Sequence, residues 1–154
     1  MIRLSNLADY AVVIMTVIAS RAPEKLNATD VSSLSGVPQA TAAKVMGHLA
    51  RADLLVSHRG KQGGFALARA ADDICVANII EALDGPIALT NCMDHGDGAC
   101  NLMAVCGMRP HWRVMNDAVR RAFEDVSLQQ LLTPRLVADE DLDRAGLATA
   151  RAEG

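Results

Sequence analysis

The chain has 154 residues, of which 51% are hydrophobic and 21% charged, so it can fold as one domain, or as one domain with an appended segment, and is not a disordered tail. Aromatic residues make up only 3%, and we expect a core of Ala, Leu, Val, Ile and Met, which suits helices. The formal net charge of −3 argues against a nucleic-acid-binding protein when it is taken over the whole chain.

The charge is, however, divided unevenly along the chain. Residues 1–70 carry eight basic and four acidic side chains, whereas residues 71–154 carry seven basic and fourteen acidic ones. Such asymmetry indicates an anionic partner for one half. The longest apolar run, residues 11–18, is far shorter than the ~20 residues of a membrane span. We expect no secretory signal, because Asp9 precedes this run and Arg3 is the only basic residue before it. We therefore expect a cytoplasmic protein with no membrane partner, whose four cysteines stay reduced.

Three helices are predicted in the first third of the chain. Apolar residues follow helical spacing over residues 4–20, over a short stretch at 28–35 and again over 38–51. Gly36 suits the left-handed residue that ends the second helix, and Pro38 suits the first position of the third. A short helix, a tight glycine turn and another helix form a helix-turn-helix.

The third helix has one apolar side and one side suited to a partner. The apolar stripe consists of Ala42, Val45, Met46 and Leu49. Small, hydrogen-bonding and basic residues occupy the opposite side, where a helix exposed only for solubility would carry more Glu and Lys. Small side chains permit close approach, and Gln and Thr can hydrogen-bond to base edges. We predict that the DNA-contacting residues of this helix are Gln39, Thr41, Lys44 and His48.

A β-hairpin is predicted directly after the third helix. Extended runs at 54–58 and 65–68 flank a glycine-rich, basic turn, and three helices followed by a hairpin describe a winged helix. Arg59 and Lys61 lie at the tip of this wing, where basic side chains suit a minor groove or a phosphate. A plain solvated turn is the alternative.

The second half of the chain is predicted to contain three more helices. The first spans 74–83, with Asp73 as its N-cap and Cys75 as a small buried residue inside it. A long helix over 109–126 has an apolar stripe that packs either within the chain or against a second copy, and a short helix follows at 127–132. The chain after Pro134 is polar and acidic and is predicted to be a mobile tail.

These elements make the fold class mainly α with a small β-hairpin wing: a winged helix-turn-helix followed by a long C-terminal dimerisation helix. The expected domain organisation is a DNA-binding domain at 1–70, a sensor and dimerisation region at 71–132 and a polar tail at 133–154.

A loop predicted at 87–108 contains three cysteines spaced as Cys92-x7-Cys100-x5-Cys106. Thiolates are soft ligands that bind iron–sulfur clusters, zinc and copper(I). Structural zinc usually shows a Cys-x2–4-Cys pair, which this loop lacks, so the wider spacing fits a cluster better. Zinc or another metal, a thiol redox switch and inert thiols are the alternatives.

Three cysteines leave a fourth ligand position open. His95 and His111 are the nearest histidines, although a single histidine is more often an ordinary surface or core residue. Asp9 lies in an apolar helical stretch, where a carboxylate is costly unless it has a partner or is exposed.

Several of these stretches together resemble the IscR-type winged-helix transcription regulators, a family that includes the nitric-oxide sensor NsrR and the iron regulator RirA. The resemblance lies in the opening Arg3-Leu4-Ser5-x4-Tyr10-Ala11-Val12, in the hairpin from His58 to Arg69 and in the three-cysteine loop. The stretch from Leu83 to Cys92 and the later Trp112-x3-Asn116-Asp117-Ala118 look most like the regulators of the SUF iron–sulfur assembly operon. The resemblance covers roughly residues 1–132.

The resemblance implies a homodimer that binds a palindromic operator and holds a cluster through Cys92, Cys100 and Cys106. The histidine ligand of IscR follows the last cysteine by three residues, and Arg109 stands at that position here. In NsrR the fourth ligand is an aspartate in the first helix of the other subunit, which aligns with Asp9. Asp9 thus becomes the first candidate and His111 the second, and a 4Fe–4S cluster is favoured over 2Fe–2S.

The function expected from these features is that of a DNA-binding transcription regulator and not of an enzyme. It would act as a repressor that senses an iron–sulfur cluster and controls genes for cluster assembly or iron homeostasis. The alternative is a cluster-free regulator of the same fold, in which the three cysteines form disulfides on oxidation.

Overall fold

A computed structural model of the chain describes residues 3–60, 63–93, 100 and 105–133. In chain order, the elements are α1 Asn6–Ser20, α2 Ala28–Ser35, α3 Gln39–Arg51, β1 Leu55–His58, β2 Gly64–Leu67, a 3-10 turn Ala71–Asp73, α4 Val76–Asp84, α5 Arg109–Glu124 and α6 Leu128–Leu132. The two strands form an antiparallel hairpin. The predicted fold class, mainly helical with a small hairpin wing, is confirmed. No helix of the described part is long and apolar enough to cross a membrane.

Helix α1 lies at the centre of the core and contacts α2, α3, α4, α6 and β2. Its buried positions recur at helical spacing, so one face of the helix supplies Ala11, Ile14, Met15 and Ile18 to the core. Side chains from the second half of the chain, Ile74, Ile79 and Leu128, join the same core. The division of the chain at residues 70 and 132 stays a prediction.

The helix-turn-helix forms as the sequence predicts. Asn27 caps α2 by accepting from the backbone N–H groups of Thr29 and Asp30, and the Asp30 carboxylate accepts in return from the N–H of Asn27. Gly36 ends α2 in the left-handed conformation with φ of 75°. Helix α3 begins at Gln39 with Pro38 as its N-cap, one position earlier than predicted for this proline.

The predicted apolar stripe of α3 is fully buried, at Ala42, Val45, Met46 and Leu49. The helix is therefore held against the core on one side and leaves the opposite side to the surface.

The hairpin is anchored to the chain between α1 and α2. Its register runs from the Leu55–Leu67 pair to the His58–Gly64 pair, and Phe65 also exchanges two backbone hydrogen bonds with Leu26, at 2.8 and 3.1 Å. A Cβ at Gly64 would lie 2.9 Å from the carbonyl of Leu26, so this close approach of two backbones requires glycine.

The start of α4 differs from the prediction. The helix begins at Val76 and its N-cap is Cys75, whereas Asp73 belongs to the preceding 3-10 turn. The physical reason is a short extended pairing: Cys75 forms a bridge with Ser127, flanked by Val76 N–H to Val126 O at 2.9 Å and Leu128 N–H to Ile74 O at 2.7 Å. Cys75 is consequently half-buried at the helix start and not a fully buried residue within the helix.

Helix α5 covers only part of its apolar stripe. Within the stripe, Trp112, Val119 and Phe123 are half-buried and Met115 is exposed; Val114, which lies off the stripe, is exposed as well. Asn116 is the one buried residue of this helix. The predicted tail lies outside the described residues, apart from Thr133.

Candidate nucleic-acid interface and cysteine segment

The surface side of α3 carries the residues predicted to contact DNA. Gln39 and Lys44 are exposed, and Thr41 and His48 are half-buried. Since their helix is fixed by its buried stripe, these side chains have a defined direction toward the surface. Whether they contact DNA stays a prediction.

Sequence reasoning missed one residue at this surface, Thr29 in the first turn of α2. The Gln39 amide donates from Nε2 to the Thr29 hydroxyl oxygen at 2.8 Å. This hydrogen bond joins the N-terminal turns of the two helices of the helix-turn-helix and orients a predicted base-contacting side chain. Thr29 lies two positions after the N-cap Asn27, but no sequence signal shows that its hydroxyl meets Gln39.

The described residues on the two sides of the wing tip lie close together. Gly60 has φ of 109°, and the N–H of Gly63 donates to its carbonyl at 2.9 Å. A Cβ at Gly63 would lie 2.5 Å from the carbonyl oxygen of His58, so a larger residue would displace the turn. Arg59 is exposed at this tip. Lys61, the second predicted contact of the wing, lies outside the described residues.

Lys44 on α3 and Arg59 on the wing are both exposed. Within the described part of the chain, Lys44, Arg51 and Arg59 form no ion pair. Arg120 on α5 differs, because it pairs with Glu81 at 3.0 Å and with Glu124 at 3.1 Å. The hydrogen bond to Glu81, followed by the attraction of both carboxylates, raises the pKa of the Arg120 guanidinium.

The three cysteines of the predicted loop are free thiols and are half-buried. Cys92 lies in a turn closed by the N–H of Met93 donating to the carbonyl of Thr90 at 2.9 Å, and its sulfur is 3.1 Å from the Thr90 hydroxyl. Cys106 precedes α5, and its carbonyl accepts from the N–H of Arg109 at 3.3 Å. Three soft thiol donors suit a metal centre chemically. Among the described residues, however, no group of three or more His, Cys, Asp or Glu is placed to hold a metal ion.

The two candidates for a fourth ligand are both on the surface. Asp9 is exposed near the start of α1, and His111 is exposed in the first turn of α5. Neither completes a ligand group with the cysteines in the described ranges. His95 lies outside the described residues.

Arg109 stands at the position of the histidine ligand of IscR. Its Nε is buried and meets no hydrogen-bond acceptor among the residues that the structure describes.

Comparison with known proteins supports both the fold and the regulatory function. Residues 4–134 match the model of the Rrf2 family, described as iron-dependent transcriptional regulators. The chain is similar to the HTH-type transcriptional regulator IscR of Vibrio atlanticus, with 28% identity over 150 residues, covering 93% of this chain and 84% of the relative.

Solved structures of two further regulators have the same fold. CymR, the global cysteine regulator of B. subtilis, superimposes with a TM-score of 0.68 at 22% identity, covering 86% of this chain and 97% of CymR. IscR of T. potens superimposes with a TM-score of 0.65 at 21% identity, covering 99% of this chain and 94% of that protein. These similarities confirm the resemblance predicted from the sequence, whereas the assignment to the SUF subgroup stays a prediction.

The relatives are transcriptional regulators, so the chain is a regulator and not an enzyme. The family match covers residues 4–134, which include both the helix-turn-helix and the hairpin wing. The chain belongs to the Rrf2 family of DNA-binding transcriptional regulators.

Proposed function

We propose that the protein is an iron–sulfur-cluster-sensing repressor, which binds a palindromic operator as a homodimer and controls iron–sulfur assembly or iron-homeostasis genes. The observation that carries the proposal is the presence of three free, half-buried cysteines, Cys92, Cys100 and Cys106, in a member of a family described as iron-dependent. When bound, a cluster supplies a group that iron starvation, oxidation or nitric oxide removes or alters.

Two elements would contact the operator. The exposed side of α3 would enter the major groove with Gln39, Thr41, Lys44 and His48, and the wing would place Arg59 and Lys61 at the flanking minor groove or backbone. The support is that Gln39, Lys44 and Arg59 are exposed and that, within the described ranges, neither cation is neutralised by an acidic side chain.

The dimer would form through α5. Apolar side chains remain exposed along this helix and just before it, with 65% of Val114, 51% of Met108 and 40% of Met115 accessible. Exposed apolar side chains of this size on a surface helix favour burial against another protein surface. A second copy of the chain is the partner that a palindromic operator requires, because the symmetry of the protein matches that of the site.

Cys92, Cys100 and Cys106 would hold the cluster, with 4Fe–4S favoured over 2Fe–2S. Asp9 would be the fourth ligand, supplied from the partner subunit's α1, and its exposed position near the start of that helix supports this assignment. His111 is the second candidate.

Anaerobic spectroscopy and metal analysis test the proposal. The wild-type protein should contain iron and acid-labile sulfide and absorb visible light, and Cys100→Ala should abolish this absorption. Cys75→Ala is the matched control, because Cys75 is also a half-buried free thiol but lies at the start of α4. Full cluster absorption in Cys100→Ala would overturn the ligand assignment. Asp9→Ala and His111→Ala should then separate the two candidates for the fourth ligand.

A thiol-switch regulator of the same fold is the second candidate function. Its support is the shared fold with CymR, named as a cysteine regulator. This alternative predicts no iron or sulfide in protein purified without air. It also predicts that oxidation links two of the cysteines 92, 100 and 106 in a disulfide that changes operator affinity.

A further inference from the structure

Asn116 is the only polar residue that is buried in the described part of the chain, with 8% of its surface accessible. It lies in the middle of α5 and contacts the segment that follows α4. Its Nδ2 donates to the carbonyl of Ile87 at 3.0 Å, and its Oδ1 accepts from the N–H of Leu89 at 2.9 Å. The side-chain amide thus pairs with two backbone groups of the segment 87–89.

This segment leads directly to Cys92. The turn that begins at Thr90 follows Leu89 and is closed by the hydrogen bond between Met93 N–H and the Thr90 carbonyl. Within this turn, the sulfur of Cys92 lies 3.1 Å from the Thr90 hydroxyl. A fixed backbone at Leu89 therefore fixes the origin of the turn that presents the thiol.

Neighbouring groups support the same segment from α4. The carboxylate of Glu81 lies within 3.5 Å of the N–H of Ile87 and also accepts from Arg120 at 3.0 Å. The Glu81–Arg120 pair joins α4 to α5 beside Asn116, so the segment is held between two helices.

We infer that Asn116 is a positioning residue for Cys92: it fixes the segment 87–89 to α5 and thereby holds the first cysteine of the sensor in place. The inference rests on the proposed function in assigning Cys92 to the sensor. The asparagine amide supplies the donor for the carbonyl of Ile87 and the acceptor for the N–H of Leu89. An ionised carboxylate cannot donate, and a shorter side chain does not reach these two backbone groups.

The test measures how fast iodoacetamide alkylates each of the four cysteines in the reduced, metal-free full-length protein. The reaction is stopped with excess thiol at successive times, and the modified peptides are mapped by mass spectrometry. In Asn116→Asp and in Asn116→Ala, Cys92 should react about tenfold faster, the effect of losing roughly 1.4 kcal/mol of hydrogen bonding. Cys75 serves as the internal standard and should change less than about twofold, within the small effect expected away from the altered site.

Asp117→Asn is the matched control, since it makes the reverse acid–amide change at the next, exposed position of α5. It should leave all four rates unchanged. An equal acceleration of every cysteine would show that Asn116 acts only on overall stability, and an unchanged rate at Cys92 would also overturn the inference. Thr90→Val should accelerate Cys92 as well, whereas Thr90→Ser, which keeps the hydroxyl, should restore the wild-type rate.

The cluster content of the same variants separates this inference from the proposed function. Wild-type protein without iron or sulfide would contradict the cluster proposal, yet faster alkylation of Cys92 in Asn116→Asp would still support the positioning role. The positioning role alone would be contradicted by a different result. In that case the wild-type protein contains a cluster, and Asn116→Asp has the same iron and sulfide content and the same alkylation rates as the wild type.

Discussion

The hydroxyl of Ser5 donates to the carboxylate of Asp84, with 2.6 Å between Oγ and Oδ1, across 79 positions of the sequence. The same oxygen accepts from the N–H of Ala8 at 3.0 Å as the N-cap of α1, and the Ser5 N–H donates to Asp84 Oδ2 at 3.3 Å. One serine thus connects the start of the central helix to the end of α4, the helix that leads to the cysteine segment.

A double-mutant cycle should detect this connection. Ser5→Ala should lower the free energy of unfolding by about 1 kcal/mol, because it removes the cap and the hydrogen bond to Asp84 together. The coupling between Ser5→Ala and Asp84→Ala, measured by urea denaturation, should be about 0.5–1 kcal/mol for an exposed hydrogen bond. Asp72→Asn, an exposed aspartate of the 3-10 turn, should show no coupling with Ser5→Ala. Additive effects of Ser5→Ala and Asp84→Ala would contradict the connection.

Thr29 should influence operator affinity through Gln39. Thr29→Val removes the acceptor at 2.8 Å from Gln39 Nε2 and releases the side chain that we propose to contact bases. We expect affinity for the preferred site, obtained by selection from random DNA, to fall about three- to tenfold, part of the ~1–3 kcal/mol that one base contact contributes.

Fluorescence anisotropy of labelled DNA measures this effect, and Thr133→Val, an exposed threonine after α6, is the control. In a Gln39→Ala background, Thr29→Val should have no further effect. A full effect in that background would show that Thr29 acts independently of Gln39.

Arg59 should contribute to affinity through charge. Arg59→Ala should weaken binding to operator and to unrelated DNA alike, and should lower the slope of log affinity against log salt by about one unit for one lost phosphate contact. Arg59→Lys is the matched control, because it keeps the charge at the wing tip and should keep the slope. Loss of affinity for the operator alone would instead indicate base recognition by Arg59.

Val114 should be needed for association of two copies. Val114→Asp places a charge at the most exposed large apolar side chain of α5, and we expect light scattering to show a dimer for the wild type and a monomer for the variant. Gln129→Asp adds a charge at an exposed position of α6 and should leave the dimer intact. A dimeric Val114→Asp variant would contradict a dimer contact at this position of α5.

The fold was predictable where local periodicity determines it. Helix α3 buries the four apolar residues chosen from the sequence, because a 3.6-residue period fixes the buried face. The start of α4 was not predictable in the same way. Asp73 has the chemistry of an N-cap, but the backbone pairing of Cys75 with Ser127, which is distant in sequence, delays the helix.

The candidate site was predictable in chemistry but not in geometry. Three cysteines in one loop identify a set of soft donors. The sequence does not show which neighbouring groups contact each thiol. Thr29 and Asn116 act through contacts with Gln39 and with Ile87 and Leu89, and such contacts depend on how the helices pack. The residues that orient the predicted contacts therefore emerge only from the folded structure.

The bridge between Cys75 and Ser127 bears on how the cysteine segment can change in evolution. The bridge pairs Cys75, which precedes α4, with Ser127, which follows α5. The stretch made of α4, the cysteine segment and α5 therefore starts and ends at neighbouring positions. Residues inserted or deleted between Thr90 and Met108 therefore leave both attachment points in place, and doubling such a loop costs only about 0.6 kcal/mol of closure entropy. The cysteine spacing can thus diversify while the winged-helix part keeps its shape.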